Sequence, residues 1–367
     1  MTETTFDALC IGNAICDVFA HVEEDFLVQQ NLVKASMRLI DTEEAVRLYE
    51  QMGQTTRISG GSAGNTAAGL ASLGGKAAYF GKVARDEIGT SYRHDMRGTG
   101  VHFETPDLVD GLPTARSMIL ITPDGERTMN TYLGACVELS EADIDPQVVG
   151  ASAITYMEGY LWDPPAAKRA FLKAAEIAHA AKRKVSLTLS DSFCVDRYRD
   201  EFLELLRNGT VDLLFANEHE LKALYETSDL DSAISAVRED CALTALTLGA
   251  EGAMAVSREE TVHVPAQEIT DVVDLTGAGD LFAAGFLFAQ ARDYDLAMSA
   301  ELGCLCASNV IRHVGARPEG ETHFRVEIAS AAFADKNRVE RQRMVYAVLA
   351  DELAGPVHAL SVSANAP

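Results

Sequence analysis

The run Leu281-Phe282-Ala283-Ala284-Gly285-Phe286-Leu287-Phe288-Ala289 is apolar on every side of a helix, and it directly follows Asp274-Leu275-Thr276-Gly277-Ala278-Gly279-Asp280. A helix that is apolar all round has to be buried. Its N-terminus, opened by Gly277, Ala278 and Gly279, then points free N–H groups out of the protein interior into a cleft. Those donors and the helix dipole attract an anion such as a phosphate. Asp280 falls in the first turn, beside that anion site. There it either stabilises the helix start or acts as a general base next to a bound phosphate. The turn alone does not separate the two.

Charge limits what such a cleft can serve. The 367 residues carry a net charge of −24. That balance disfavours wrapping nucleic acid or docking on anionic lipid, and positive potential for a phosphate has to be supplied locally. The length suits one large α/β domain, or one with a smaller piece attached. Seven cysteines, scattered and mostly in apolar runs, read as buried reduced thiols. No basic-then-apolar leader opens the chain and no apolar stretch is long enough to span a membrane, so a cytoplasmic location is expected.

In order, Phe6 to Asn13 reads as a buried strand ending at a turn, with Asp17 at its exit. Ligands gather at the carboxyl ends of strands in open α/β sheets, which makes Asp17 a candidate substrate ligand. Residues 18–58 are mixed. Gly60-Gly61-Ser62-Ala63-Gly64-Asn65 then runs into a helix of very small residues, which lets a ligand or another backbone come close. Residues 112–134 alternate around Asp124-Gly125 and predict a hairpin. Beyond it, strands at 153–157, 185–189, 211–215, 242–248 and 252–257 alternate with helices at 164–181, 200–207 and 218–225. This rhythm predicts a largely parallel sheet with helices on both faces.

Five motifs, in order over residues 6–315, resemble the PfkB (ribokinase-like) family of carbohydrate and nucleoside kinases. They are Gly12-Asn13 with Asp17, the Gly60 to Asn65 turn, Asn217-Glu218-His219-Glu220, Thr247 to Gly252, and Asp274 to Asp280. The resemblance implies an α/β ribokinase-like fold with a small β lid drawn from parts of 18–58 and 112–134. It implies phosphoryl transfer from ATP to an alcohol, which depends on positioning and charge stabilisation. Asp280 would accept the hydroxyl proton, and the N–H groups of Gly277, Ala278 and Gly279 would hold the charge of the moving phosphoryl group. Asn217 and Glu220 would organise Mg2+ and its waters. Thr247, Gly249, Gly252 and Thr276 would line the nucleotide, and Asp17, Gly61 and Asn65 would hold substrate hydroxyls. Many members use a monovalent cation such as K+, and Asp274 and Thr276 occupy similar positions.

The long interval from Asp17 to Gly60, the opening Gly12-Asn13-Ala14-Ile15-Cys16-Asp17 and the stretch Ala307 to Gly315 look more like adenosine kinases than sugar kinases. Adenosine is therefore the expected acceptor, with a ribose- or fructose-type sugar as the alternative. Tyr156, Tyr160, Leu161 and Trp162 are candidate walls for a base, although aromatics after a strand more often belong to the core.

From about Arg317 the character of the sequence changes. Arg317 to Ile328, Asn337 to Tyr346 and Val357 to Leu360 resemble the second half of a BolA-family protein, read as strand, amphipathic helix, strand. The expected division is a kinase domain over 1–315 and a partial BolA-like segment over 316–367. In that family a histidine matching His358 can ligate an iron–sulfur cluster shared with a monothiol glutaredoxin. A ligand-sensing or glutaredoxin-binding module is thus a further alternative.

Overall fold

The structure, a computed structural model, describes residues 4–270, 272–313, 315–317, 323–329 and 359–365, with Phe333, Lys336, Arg341 and Met344. The chain forms two compact units, Met1–Arg317 and Pro318–Pro367.

The first unit begins with β1 (Phe6–Ile11), β2 (Ile15–His21), α1 (Glu24–Gln29), β3 (Met37–Leu39), α2 (Thr42–Gln51), β4 (Thr56–Ser59), α3 (Ser62–Ser72), β5 (Ala77–Phe80) and α4 (Glu87–Gly98). The hairpin follows as β6 (Ala115–Ile121) and β7 (Arg127–Tyr132). Alternation then sets in with α5 (Pro146–Ala151), β8 (Ser152–Glu158), α6 (Pro165–Ala180), β9 (Lys184–Thr188), α7 (Ser192–Arg207), β10 (Leu213–Asn217), α8 (Glu218–Leu224), α9 (Leu230–Asp240) and β11 (Leu243–Thr247). The unit ends with β12 (Ala253–Ser257), β13 (Thr261–Val264), α10 (Ala278–Gln290) and α11 (Leu296–Val310).

Eight of these strands form one sheet in the order β13-β12-β11-β10-β9-β8-β1-β5. It is parallel from β11 to β5 and antiparallel at β12 and β13. Side chains alternate across a strand, and β1 shows the consequence. Leu9 and Ile11 enter the core beneath α5 to α9, while Ala8 and Cys10 enter the core beneath α3, α4, α10 and α11. Both faces are covered, as the rhythm of strands and helices predicts. The helix at 200–207 is longer than expected and starts at Ser192, capped by the Asp191 side chain on the Cys194 N–H. All seven cysteines are buried and unpaired.

A second sheet, β3-β7-β6-β2-β4, is the small β lid. Its apolar face carries Cys16, Val18, Ala20, Met118, Leu120 and Tyr132 against Leu27 and Leu48. The Asp-Gly turn between β6 and β7 is closed by Gly125 at φ +85°. Asp17 does not sit in a turn after β1. It lies inside β2, level with Ile58 on one side and Ser117 on the other.

The all-apolar run becomes α10, buried from Leu281 to Leu287. It packs along α11 at backbone contact distance. A Cβ on Gly285 would lie 2.6 Å from the Leu302 carbonyl oxygen, and one on Gly303 would lie 2.7 Å from the Phe282 ring.

In the second unit β14 (His323–Ala329) and β15 (Ala359–Asn365) pair in parallel, His323 opposite Ala359. The expected helix over 337–346 lies outside the described residues apart from Arg341 and Met344, and so does His358.

Gly285→Ala is expected to destabilise the protein, overpacking typically costing about 1–3 kcal/mol. Gly98→Ala, in the last turn of α4 with open space around it, should be neutral or slightly stabilising. Urea unfolding of the two variants side by side checks this.

Candidate active site

The N-terminus of α10 keeps the expected glycine turn, but not all three of its expected N–H donors are free. Gly277 is its N-cap, in the left-handed region at φ +81°. A Cβ there would also strike Ala316, 2.6 Å away, so the position demands glycine twice over. Gly279 is exposed at the mouth of the helix. The Ala278 N–H already donates to the Leu275 carbonyl at 3.2 Å.

Asp280 is held by α3. Ser62 Oγ donates to its Oδ1 at 2.7 Å and Asn65 Nδ2 to its Oδ2 at 2.9 Å. Thr66 Oγ1 donates to the Asp280 carbonyl at 3.2 Å. The two helices approach closely enough for these bonds because their facing residues are small, and a Cβ on Gly69 would meet the Leu281 side chain. Gly61, at φ +83°, caps α3 and turns the chain into it.

Two more carboxylates enter the same cleft. Asp17 lies against the Cα of Gly60, and Glu158, at the carboxyl end of β8, lies against the Cα of Gly12. Those glycines leave the room the acids occupy. Glu158 is 1% exposed and accepts from the N–H groups of Ala63 and Asn13 and from Asn13 Nδ2. Burial pushes Asp17 and Glu158 up to about 7, against the pull of Arg317 on Asp17 and of the hydrogen bonds on Glu158. Burial also raises Asp280, with Ser62, Asn65 and Arg317 opposing the rise.

Asp274 is treated differently. Burial alone would raise it, but Gly315 N–H, Thr276 N–H and hydroxyl, and the Arg127 guanidinium together hold it below the usual carboxylate range. Arg127, from the first position of β7, reaches Asp274 Oδ2 at 2.9 Å and Thr276 Oγ1 at 3.2 Å. The positive charge beside Asp274 is therefore supplied by the lid. A monovalent cation there has to displace Arg127 or share the carboxylate with it.

The expected nucleotide residues lie along the carboxyl ends of β10 and β11, where Asn217 and Thr247 are register partners. Gly249 and Gly252, at φ +60° and +97°, shape the turn into β12. Asn217 and Glu220 form a capping box. Asn217 N–H and Nδ2 donate to the two Glu220 oxygens at 2.9 and 2.6 Å, and Glu220 N–H returns to Asn217 Oδ1. Burial raises Glu220 to about 7. Among the described residues no group of three His, Cys, Asp or Glu is arranged to hold a metal ion. One carboxylate with no cage suits a magnesium ion that arrives on a triphosphate and keeps its waters.

Three of the four candidate base-wall residues belong to the core, the commoner fate of aromatics after a strand. Tyr156, Leu161 and Trp162 are buried, Trp162 against Phe171 and Phe202, and of the four only Tyr160 is exposed. Conversely, Ser62, Arg127, Glu158 and Arg317 line the cleft without having been singled out from the sequence. Glu158 was findable, since it ends a parallel strand at the sheet's ligand edge.

A doubly wound sheet, a lid that places an arginine at the cleft, and an acid beside a helix N-terminus together suit phosphoryl transfer. The model of the pfkB family of carbohydrate kinases matches residues 31–322, and the chain belongs to that family. A BolA-like protein model matches residues 307–367. The adenosine kinase of Sinorhizobium meliloti is 55% identical, with a TM-score of 0.81 over 86% of this chain and 97% of that one. A probable sugar kinase protein of Rhizobium etli CFN 42 is 52% identical, with a TM-score of 0.81 over 86% and 96%. The ATP-dependent ribose-1-phosphate kinase of Halopiger xanaduensis is 30% identical, covering 76% of this chain and 86% of its own length.

The raised Asp17 and Glu158 make a signed prediction. Between the carboxylate pKa of the unfolded chain and about 7, the folded state binds protons the unfolded state has released, so this contribution to stability declines as pH rises through that window. The Tm of the ligand-free protein should fall less between pH 5 and 8 in Asp17→Asn and Glu158→Gln than in the wild type, as read by thermal melts in one buffer series.

Proposed function

We propose that the protein transfers the γ-phosphoryl group of magnesium-bound ATP to the 5′-hydroxyl of a nucleoside, adenosine first, giving AMP and ADP. The observation that carries the reading is the seat of Asp280, fixed by Ser62 and Asn65 at the mouth of α10. Burial raises its pKa above the ordinary carboxylate value, which makes it a stronger base. Asp280 takes the proton as the acceptor oxygen bonds to the γ-phosphorus, and the bond from that phosphorus to the β–γ bridging oxygen breaks. The N–H groups of Gly277 and Gly279 and the dipole of α10 meet the charge on the phosphoryl oxygens. Magnesium bound with the ATP would neutralise the triphosphate, and Glu220 and Asn217 are the residues that would hold it through its waters. Thr247, Gly249, Gly252 and Thr276 line the nucleotide.

The acceptor is a neutral polyol. Asp17, Glu158 and Asp280 converge on the cleft with Arg127 and Arg317 as the facing cations, and a sugar phosphate brought among three carboxylates meets like charge. Asp17 and Asn65, with the Gly61 backbone, hold hydroxyls. The 55% identical neighbour called an adenosine kinase supports the nucleoside. Burial of Tyr156, Leu161 and Trp162 removes part of the apolar wall a base needs, and this favours a free sugar as the second reading.

Asp280→Asn should lower kcat by about 10²–10⁴-fold with little change in KM for ATP, the usual contribution of a general base. ATP consumption should be fastest with adenosine and slower with inosine, ribose and fructose. Ribose 1-phosphate should be the poorest acceptor. Turnover on a free sugar alone would replace the nucleoside reading, and turnover on ribose 1-phosphate alone would overturn the argument from charge.

A further inference from the structure

Arg317 is the last residue of the first compact unit, in a stretch where the sequence already resembles another family. Its side chain points back into the cleft. Nε donates to Asn65 Oδ1 at 3.1 Å, and a terminal nitrogen donates to the Gly60 carbonyl at 3.1 Å. The guanidinium lies 5.7 Å from the centre of the Tyr92 ring, and the Tyr92 hydroxyl donates to the same Gly60 carbonyl at 2.9 Å.

We propose that Arg317 is a positioning residue for phosphoryl transfer: its guanidinium fixes the Asn65 amide, and that amide in turn fixes the carboxylate of Asp280. The argument rests on donor chemistry. An amide presents one acceptor and two donors, a guanidinium only donates, and an ionised carboxylate only accepts. With Arg317 on Oδ1, the Asn65 amide has one useful orientation, and Nδ2 must face Asp280. Arg317 adds a second selection to that of the carboxylate: the flip would set an oxygen against Asp280 and an NH2 against the guanidinium. The fork matters as well as the charge, because Nε and the terminal nitrogen engage two acceptors at once and a lysine does not reproduce that.

The two preceding residues deliver the arginine. Gly315, at φ +101°, donates its N–H to Asp274 Oδ2 at 2.8 Å. Ala316 packs on the Cα of Gly277. Three consecutive residues thus touch the cation-paired acid, the N-cap of the anion site and the ligand of the base. The groups facing Asp280 are Asp17 from β2, Glu158 at the end of β8, Tyr156, Tyr160 and Arg317, with Arg127 acting on Asp17. Removing Arg317 leaves three carboxylates with one cation fewer, so the proton on Asp280 is held to higher pH.

This inference rests on Asp280 being the base, and two readouts separate the failures. In the first, kcat and KM are measured from pH 5.5 to 9 for wild type, Arg317→Ala, Arg317→Lys and Arg317→Gln. Arg317→Ala should lose about 100-fold in kcat at pH 7, the scale of a small misplacement of a reacting group. Its acid limb should move to higher pH, KM for ATP should hold, and added guanidinium should restore rate to Arg317→Ala, while Arg317→Lys should stay impaired. In the second, the protein is labelled with carboxyl-¹³C aspartate, and the Asp280 resonance is taken as the one absent from Asp280→Asn. That resonance should titrate at higher pH in Arg317→Gln than in wild type. An unchanged titration and an unchanged pH profile in folded variants overturn the proposal. If the wild type phosphorylates no acceptor, the functional reading falls and the ¹³C titration still decides the role of Arg317.

Discussion

The pair of hydrogen bonds from α3 to Asp280 is the interaction on which the rest of the site depends. Ser62 and Asn65 hold the two carboxylate oxygens separately, so neither oxygen is left to turn away from the cleft. The bonds exist only because α3 and α10 meet through small residues, with Gly69 against Leu281. In turn, α10 is fixed from behind by α11, where Gly285 and Gly303 allow backbone contact. The position of one carboxylate is thus set by the packing of three helices on one face of the sheet. Burial supplies the second ingredient, because the surroundings that orient Asp280 also raise its proton affinity.

The lid is tied to this centre by charge. Arg127 starts β7, the strand after the Asp-Gly turn, and its partners Asp274 and Thr276 immediately precede the anion site. Asp274 sits under a guanidinium, two backbone N–H groups and a hydroxyl. A carboxylate so fully engaged is held below the usual range, whereas Asp17 and Glu158, which have no direct ion pair among the described residues, are raised. The cleft therefore contains acids of two kinds, distinguished by partners rather than by depth.

Much of this was legible in the sequence, and what was not has identifiable physical causes. The buried helix and its glycine entry followed from composition alone, because no other packing satisfies a run apolar on all sides. The parallel sheet followed from the alternation of strands and helices. The placement of Asp17 did not, because a short strand after a turn carries no periodicity of its own, and Asp17 sits in β2 only through pairing with β4 and β6. The capping box of Asn217 and Glu220 shows a different limit, since the same spacing serves a helix start and an outer ligand of magnesium. The candidate aromatic wall went the way the sequence weighted it, to the core. Tyr156 and Trp162 each fill one of the two cores that cover the sheet's faces.

The change of family resemblance near residue 317 concealed Arg317. Sequence character shifts where ancestry shifts, while a fold ends where contacts end, and the two need not coincide. Matches to the two family models overlap from 307 to 322, so the text there belongs to both. Geometry resolves what text does not. Gly315, Ala316 and Arg317 each make a contact specific to their position, to Asp274, Gly277 and Asn65 in turn. The first compact unit therefore runs through Arg317, and a division placed before it would cut the contacts that tie Asp274, Gly277 and Asn65 together.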